Sequence, residues 1–154
     1  MKHLLTLALT LTLSASAALA NDHLNQIASH ARGLAEDYRK MTVTLKDKKF
    51  PAGDLKQELQ EADAELDKVK GLLSEFSATN PNFSGMQQQK DWQMVQDLVK
   101  LLEIFQDRKV ELLSGDNPHK QRKSIRDHAE ALVTRASLLE QAALRLAGTG
   151  TPKS

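Results

Sequence analysis

LNQIASHARGLAEDYRKMTVTL, residues 24–45, decides the fold. Its apolar positions, Leu24, Ile27, Ala31, Leu34, Tyr38, Met41 and Leu45, are separated alternately by three and four residues. That spacing lays one continuous stripe along an α-helix with a seven-residue repeat. The repeat recurs at Leu55, Leu59, Ala62, Leu66, Val69, Leu73 and Phe76. It returns at Ile125, Ala129, Leu132, Ala136, Leu139, Ala143 and Leu146, where alanines alternate with larger residues and leave room for a partner helix to approach closely. Between these lies a broader face of Trp92, Met94, Val95, Leu98, Val99, Leu101, Leu102, Ile104 and Phe105, which predicts a third helix with neighbours on two sides, at the centre of the core. No stretch beyond residue 20 alternates with period two, so strands are not expected.

The breaks between the stripes fix the connectivity. Lys46 to Gly53, Ala78 to Gly85 and Ser114 to Asn117 are short enough to force consecutive helices into antiparallel neighbours, which predicts an all-α, up-down-up-down four-helix bundle. Helix starts are expected at Asp22, at Pro51 with Asp54 and Gln57, at the capping-box pair Ser84 and Gln87, and at Asn117-Pro118. At roughly 23 to 30 residues, each helix would be about 35–45 Å long.

Residues 1–20 read as a signal peptide: Lys2 supplies the positive start, Leu4 to Leu13 is apolar but for threonines, and Ala18-Leu19-Ala20 is a small-x-small cleavage site. The ten-residue apolar core is short of the ~20 residues a spanning helix needs, so no transmembrane segment is expected after cleavage. The chain then divides into 1–20 signal peptide, 21–147 bundle and 148–154 flexible tail, with export to the periplasm. The absence of cysteine suits that oxidising compartment and excludes disulfides, Cys-based metal sites and thiol catalysis.

The whole chain carries 21 basic and 20 acidic residues, and loss of Lys2 leaves 20 of each, a balance that argues against nucleic acid as a partner. Four histidines remain beyond residue 20: His23, His30, His119 and His128. None has a carboxylate or imidazole three or four residues before it within a helix; Asp116 and His119 straddle the Asn117-Pro118 break. A metal site built on helical spacing is therefore not expected. The carboxylates Glu58, Asp63, Glu61, Glu65 and Asp67 lie off the second stripe beside Lys68 and Lys70, which reads as a solvated face rather than acid–base machinery. No enzymatic constellation emerges.

Charge does gather at one end. The antiparallel topology brings Lys46, Lys48, Lys49, Lys56, Arg108, Lys109, Lys120, Arg122, Lys123 and Arg126 to a shared pole with Asp47, Asp54, Glu58, Asp107, Glu111, Asp116 and Asp127, ten basic against seven acidic residues, an excess of three. Basic residues at the start of the fourth helix oppose its macrodipole, so helix stability alone does not account for them. Lys120, Arg122, Lys123 and Arg126 are thus the candidate docking residues for an anionic surface or an envelope protein.

Ala78-Thr79-Asn80-Pro81 in the central loop, Gly115-Asp116 before the last helix and Val133-Thr134-Arg135 within it resemble the small soluble periplasmic b-type cytochromes. That resemblance implies an exported four-helix bundle, with haem b held noncovalently between a methionine near the start of the first helix and a histidine near the end of the fourth. In the register set by Thr134-Arg135 the axial histidine falls at Leu139, no histidine follows His128, and no methionine precedes Met41 in the first helix. The substitute ligands are Met41 and His128, within one residue of the same level when Leu24 is set level with Leu146. Met41 belongs to an ordinary core stripe, so the expected protein is a haem-free interaction module, monomeric or weakly dimeric. A periplasmic electron carrier is the alternative.

Overall fold

The computed structural model describes residues 2–114 and 117–148, with side chains described for 19–108 and 117–148. Four helices occupy it: α1 (Lys2–Thr44), α2 (Ala52–Ala78), α3 (Met86–Ser114) and α4 (Arg122–Gly148). They form an antiparallel four-helix bundle in which α1 packs on α2 and α4, α3 on α4, and α2 more lightly on α3. Among the described residues no helix is long and apolar enough to cross a membrane.

All seven stripe residues of α1 and all seven of α4 are buried. On α2 only Leu73 is partly exposed. The centre of the core lies elsewhere than the stripe widths suggest: the most extensive helix pair is α1 with α4, not a pair involving α3. Ala28 and Ala35 on α1 and Ala142 on α4 are buried beside their stripes, so small side chains widen both faces and let these helices meet closely. On α3 the second apolar flank faces outward, with Met94 and Leu101 each 39% exposed and Ile104 63%.

Polar contacts fix the register. Arg32 meets Glu140 at 2.7 Å across α1 and α4, within two residues of the level set by pairing Leu24 with Leu146. His23 and His30 on α1 reach Glu75 and Glu65 on α2 at 3.2 and 2.6 Å. Burial works to raise the Glu65 carboxyl, but the bonds from His30 and Lys68 outweigh it and hold that carboxyl below its ordinary value. Between α1, α2 and α3, the buried Tyr38 hydroxyl donates to Gln106 Oε1 at 2.7 Å, and Gln106 Nε2 donates to Asp63. Burial pushes the Tyr38 phenol well above its usual range, so it remains a hydrogen-bond donor.

Helix ends depart from the expected caps. Asp22 starts no helix, because α1 continues through it and its carboxylate accepts from Gln26 one turn on. Pro51 stands at the start of α2 with no side-chain capping bond, and Gln57 bonds Glu61 instead. The capping box before α3 is displaced by one residue: Gln88 Oε1 accepts from the Gly85 amide at 3.2 Å in place of Gln87 and Ser84. α4 begins four residues after Pro118, following a turn over 118–121. α2 stops where Asn80 takes a left-handed conformation, φ 50°, one residue before Pro81. The expected tail falls outside the described residues beyond Gly148, itself the last residue of α4.

Candidate functional site

The end of α1 and the start of α4 are stapled together by two side chains. Arg122 Nη1 donates to the Leu45 carbonyl at 2.7 Å and lies 3.4 Å from that of Lys46. Those carbonyls stand one and two residues past Thr44, the last residue of α1, where a guanidinium ties down the closing turn and opposes the negative end of the macrodipole. His119 Nε2 donates to the Phe50 carbonyl at 3.1 Å, and its ring stacks on the buried Phe50 ring at 4.5 Å between centroids. Sequence reasoning missed Phe50 because it belongs to no helical stripe. The available signal was a lone aromatic in a lysine-rich loop.

Two of the four expected docking residues, Arg122 and Arg126, also have partners within the fold. Arg122 is a cap for α1, and its position opposing the α4 dipole is explained by the helix it serves. Arg126 is half-buried, with its guanidinium 3.7 Å from both Asp127 and Glu130 on α4 itself. Lys120 and Lys123 are exposed, as are Lys46, Lys48, Lys49 and Lys56. Among the described residues none of these six has a carboxylate within ion-pair distance. Two tight turns shape the loops that present them: Asp47 Oδ1 accepts from the Lys49 amide at 2.8 Å, and Asn117 Oδ1 from the Lys120 amide at 3.3 Å. The first turn of α4 contains no acidic residue, so its dipole adds to the positive potential. Lys109, Glu111 and Asp116, counted at this pole from the sequence, lie outside the described side chains.

Nearby, an open cleft of about 580 Å³ between α1 and α2 is lined by Glu36, Arg39, Lys40, Val43, Thr44 and Glu58. The Thr44 hydroxyl donates to Glu58 Oε1 at 2.8 Å, while the buried Oε2 has no partner among the described residues. Burial raises the Glu58 carboxyl above its ordinary value. Among the described residues, no three His, Asp or Glu side chains gather as a metal-binding group.

Met41 is fully buried in the α1 core stripe. His128 is half-buried on the α3 side of α4: its Nδ1 donates to the Ser124 carbonyl at 2.7 Å and its ring lies 6.1 Å from that of Phe105. Leu139, at the axial position implied by the cytochrome resemblance, is fully buried. Thr134 and Arg135, which set that register, bond to carbonyls one turn back, and Arg135 covers the Phe105 ring at 4.1 Å. No family model, curated protein or solved structure matches this chain.

Proposed function

We propose that this protein is an exported, haem-free helical bundle acting in the periplasm as an interaction module, not an enzyme, and that it docks on an anionic surface through its lysine pole. The observation that carries this reading is the division of labour among the basic residues. Arg122 and Arg126 are engaged within the fold, while Lys46, Lys48, Lys49, Lys56, Lys120 and Lys123 stay exposed around them, with no carboxylate within ion-pair distance among the described residues. Lysine is a compact, mobile point charge that suits a diffuse anionic surface better than geometric recognition of a single group.

Export is supported by the Ala18-Leu19-Ala20 motif. Among the described side chains the first buried one is Leu24, so cleavage after Ala20 removes only the partly buried Ala20 from the described core and its surroundings.

Replacing Lys48, Lys49, Lys120 and Lys123 with glutamine tests the pole. Each lysine near an anionic surface is worth about 1 kcal/mol, so the quadruple variant should bind anionic vesicles on the order of 1,000-fold more weakly at low salt. Wild-type binding should fall in about 0.5 M salt, where the Debye length is about 4 Å. Undiminished binding by the variant would remove the pole's docking role. Arg122→Gln belongs in a separate experiment, because losing the α1 cap should lower stability by about 1 kcal/mol, read by urea titration.

A further inference from the structure

α3 carries a second face that no helix of this bundle covers. Met86, Met94, Leu101 and Ile104 are 74, 39, 39 and 63% exposed. Lys90 and Asp97 interleave with them. At 100° per residue, positions 86, 90, 94, 97, 101 and 104 fall within an arc of about 80°, so they form one stripe along the helix. Its middle is a groove of about 370 Å³ lined by Lys90, Gln93, Met94, Asp97, Leu98 and Leu101. Lys90 has no ion-pair partner among the described residues, and Asp97 accepts only a neutral bond from Gln93 at 3.0 Å.

The order of residues along this stripe is its own complement. In an antiparallel pairing of two α3 helices about a two-fold axis between Gln93 and Met94, Lys90 stands level with Asp97 of the second copy, and Met86 with Leu101. Met94 stands beside the axis, level with Gln93 of the second copy. Each relation occurs twice, as an isologous interface requires. A parallel pairing would instead set lysine against lysine and aspartate against aspartate. Charge complementarity therefore singles out both the occupant and its direction.

We propose that the stripe is a homodimer interface, occupied by α3 of a second copy in this antiparallel register. The paired part of the stripe runs about 22 Å from Met86 to Leu101, a small contact of the kind that associates reversibly. The pairing points the two lysine poles in opposite directions, so the dimer could engage two anionic surfaces at once. The interface itself does not depend on the docking reading.

A charge-swap cycle tests it. Sedimentation of the purified protein over a concentration series should show reversible dimers. Lys90→Asp or Asp97→Lys alone should weaken dimerisation at least about tenfold, and the Lys90→Asp, Asp97→Lys double variant should restore it. Since the chain has no cysteine, Met94→Cys gives a clean second readout. Mild oxidation should link it into a covalent dimer, whereas Asn25→Cys, exposed on α1, should stay largely unlinked. A protein that remains monomeric to about 1 mM would overturn the proposal, as would dimers indifferent to all three charge variants.

Discussion

Phe76→Ala lowers the stability of the bundle by about 3–5 kcal/mol, a large share of the about 5–15 kcal/mol that holds a domain of this size together. Phe76 is 1% exposed and fills the end of the bundle remote from the lysine pole. It meets Trp92 edge-on at 5.1 Å between centroids, and Phe83 lies 6.3 Å away. Truncation therefore removes a large apolar volume from α2 and α3, the least extensive helix pair of the bundle. Because Trp92 is the only tryptophan, its emission reports the site directly and should shift to the red. A urea midpoint displaced by less than the equivalent of about 1 kcal/mol would show that this end is not packed around Phe76.

The second large effect belongs to Arg145. Its guanidinium reaches both oxygens of Asp91 at 2.8–3.1 Å, and Asp91 is only 2% exposed. Removing one partner strands a buried carboxylate, whereas removing both does not. Arg145→Ala should cost about 2–4 kcal/mol, toned down from the fully buried case because Arg145 itself is half exposed. The Asp91→Leu, Arg145→Leu double variant should recover most of that loss. Equal destabilisation by the single and double variants would mean that packing, not the ion pair, sets the value of the site.

What was legible in the sequence was whatever follows from side-chain period. The stripes of α1 and α4 lie in the core residue for residue, since apolar burial at helical spacing leaves few other arrangements. α3 was harder because period alone does not say whether a second apolar flank meets a neighbour or water. Met94, Leu101 and Ile104 meet water in this bundle. Two buried polar residues on α3 were passed over, although Asp91 stands seven residues before Leu98 and Gln106 four after Leu102, each in line with the core. Their partners, Arg145 and Tyr38, lie on other helices, beyond the reach of local spacing. The same limit hid Arg122. Local charge placed it at a helix start that it opposes, while its carbonyl acceptors stand 77 and 76 residues away in the chain.

A haem-free module and a b-type electron carrier would share this architecture and differ in one property. Met41 and Leu139 are fully buried, and His128 is held at the α3 side of α4 by the Ser124 carbonyl. Bringing Met41 to an iron atom would forfeit about 1.5–3 kcal/mol of apolar burial unless the macrocycle replaced it. Titration of the purified protein with hemin, followed in the Soret region, should give only gradual, unsaturable uptake. A sharp one-to-one complex, abolished by Met41→Ala or His128→Ala, would contradict the interaction-module reading and make the protein an electron carrier.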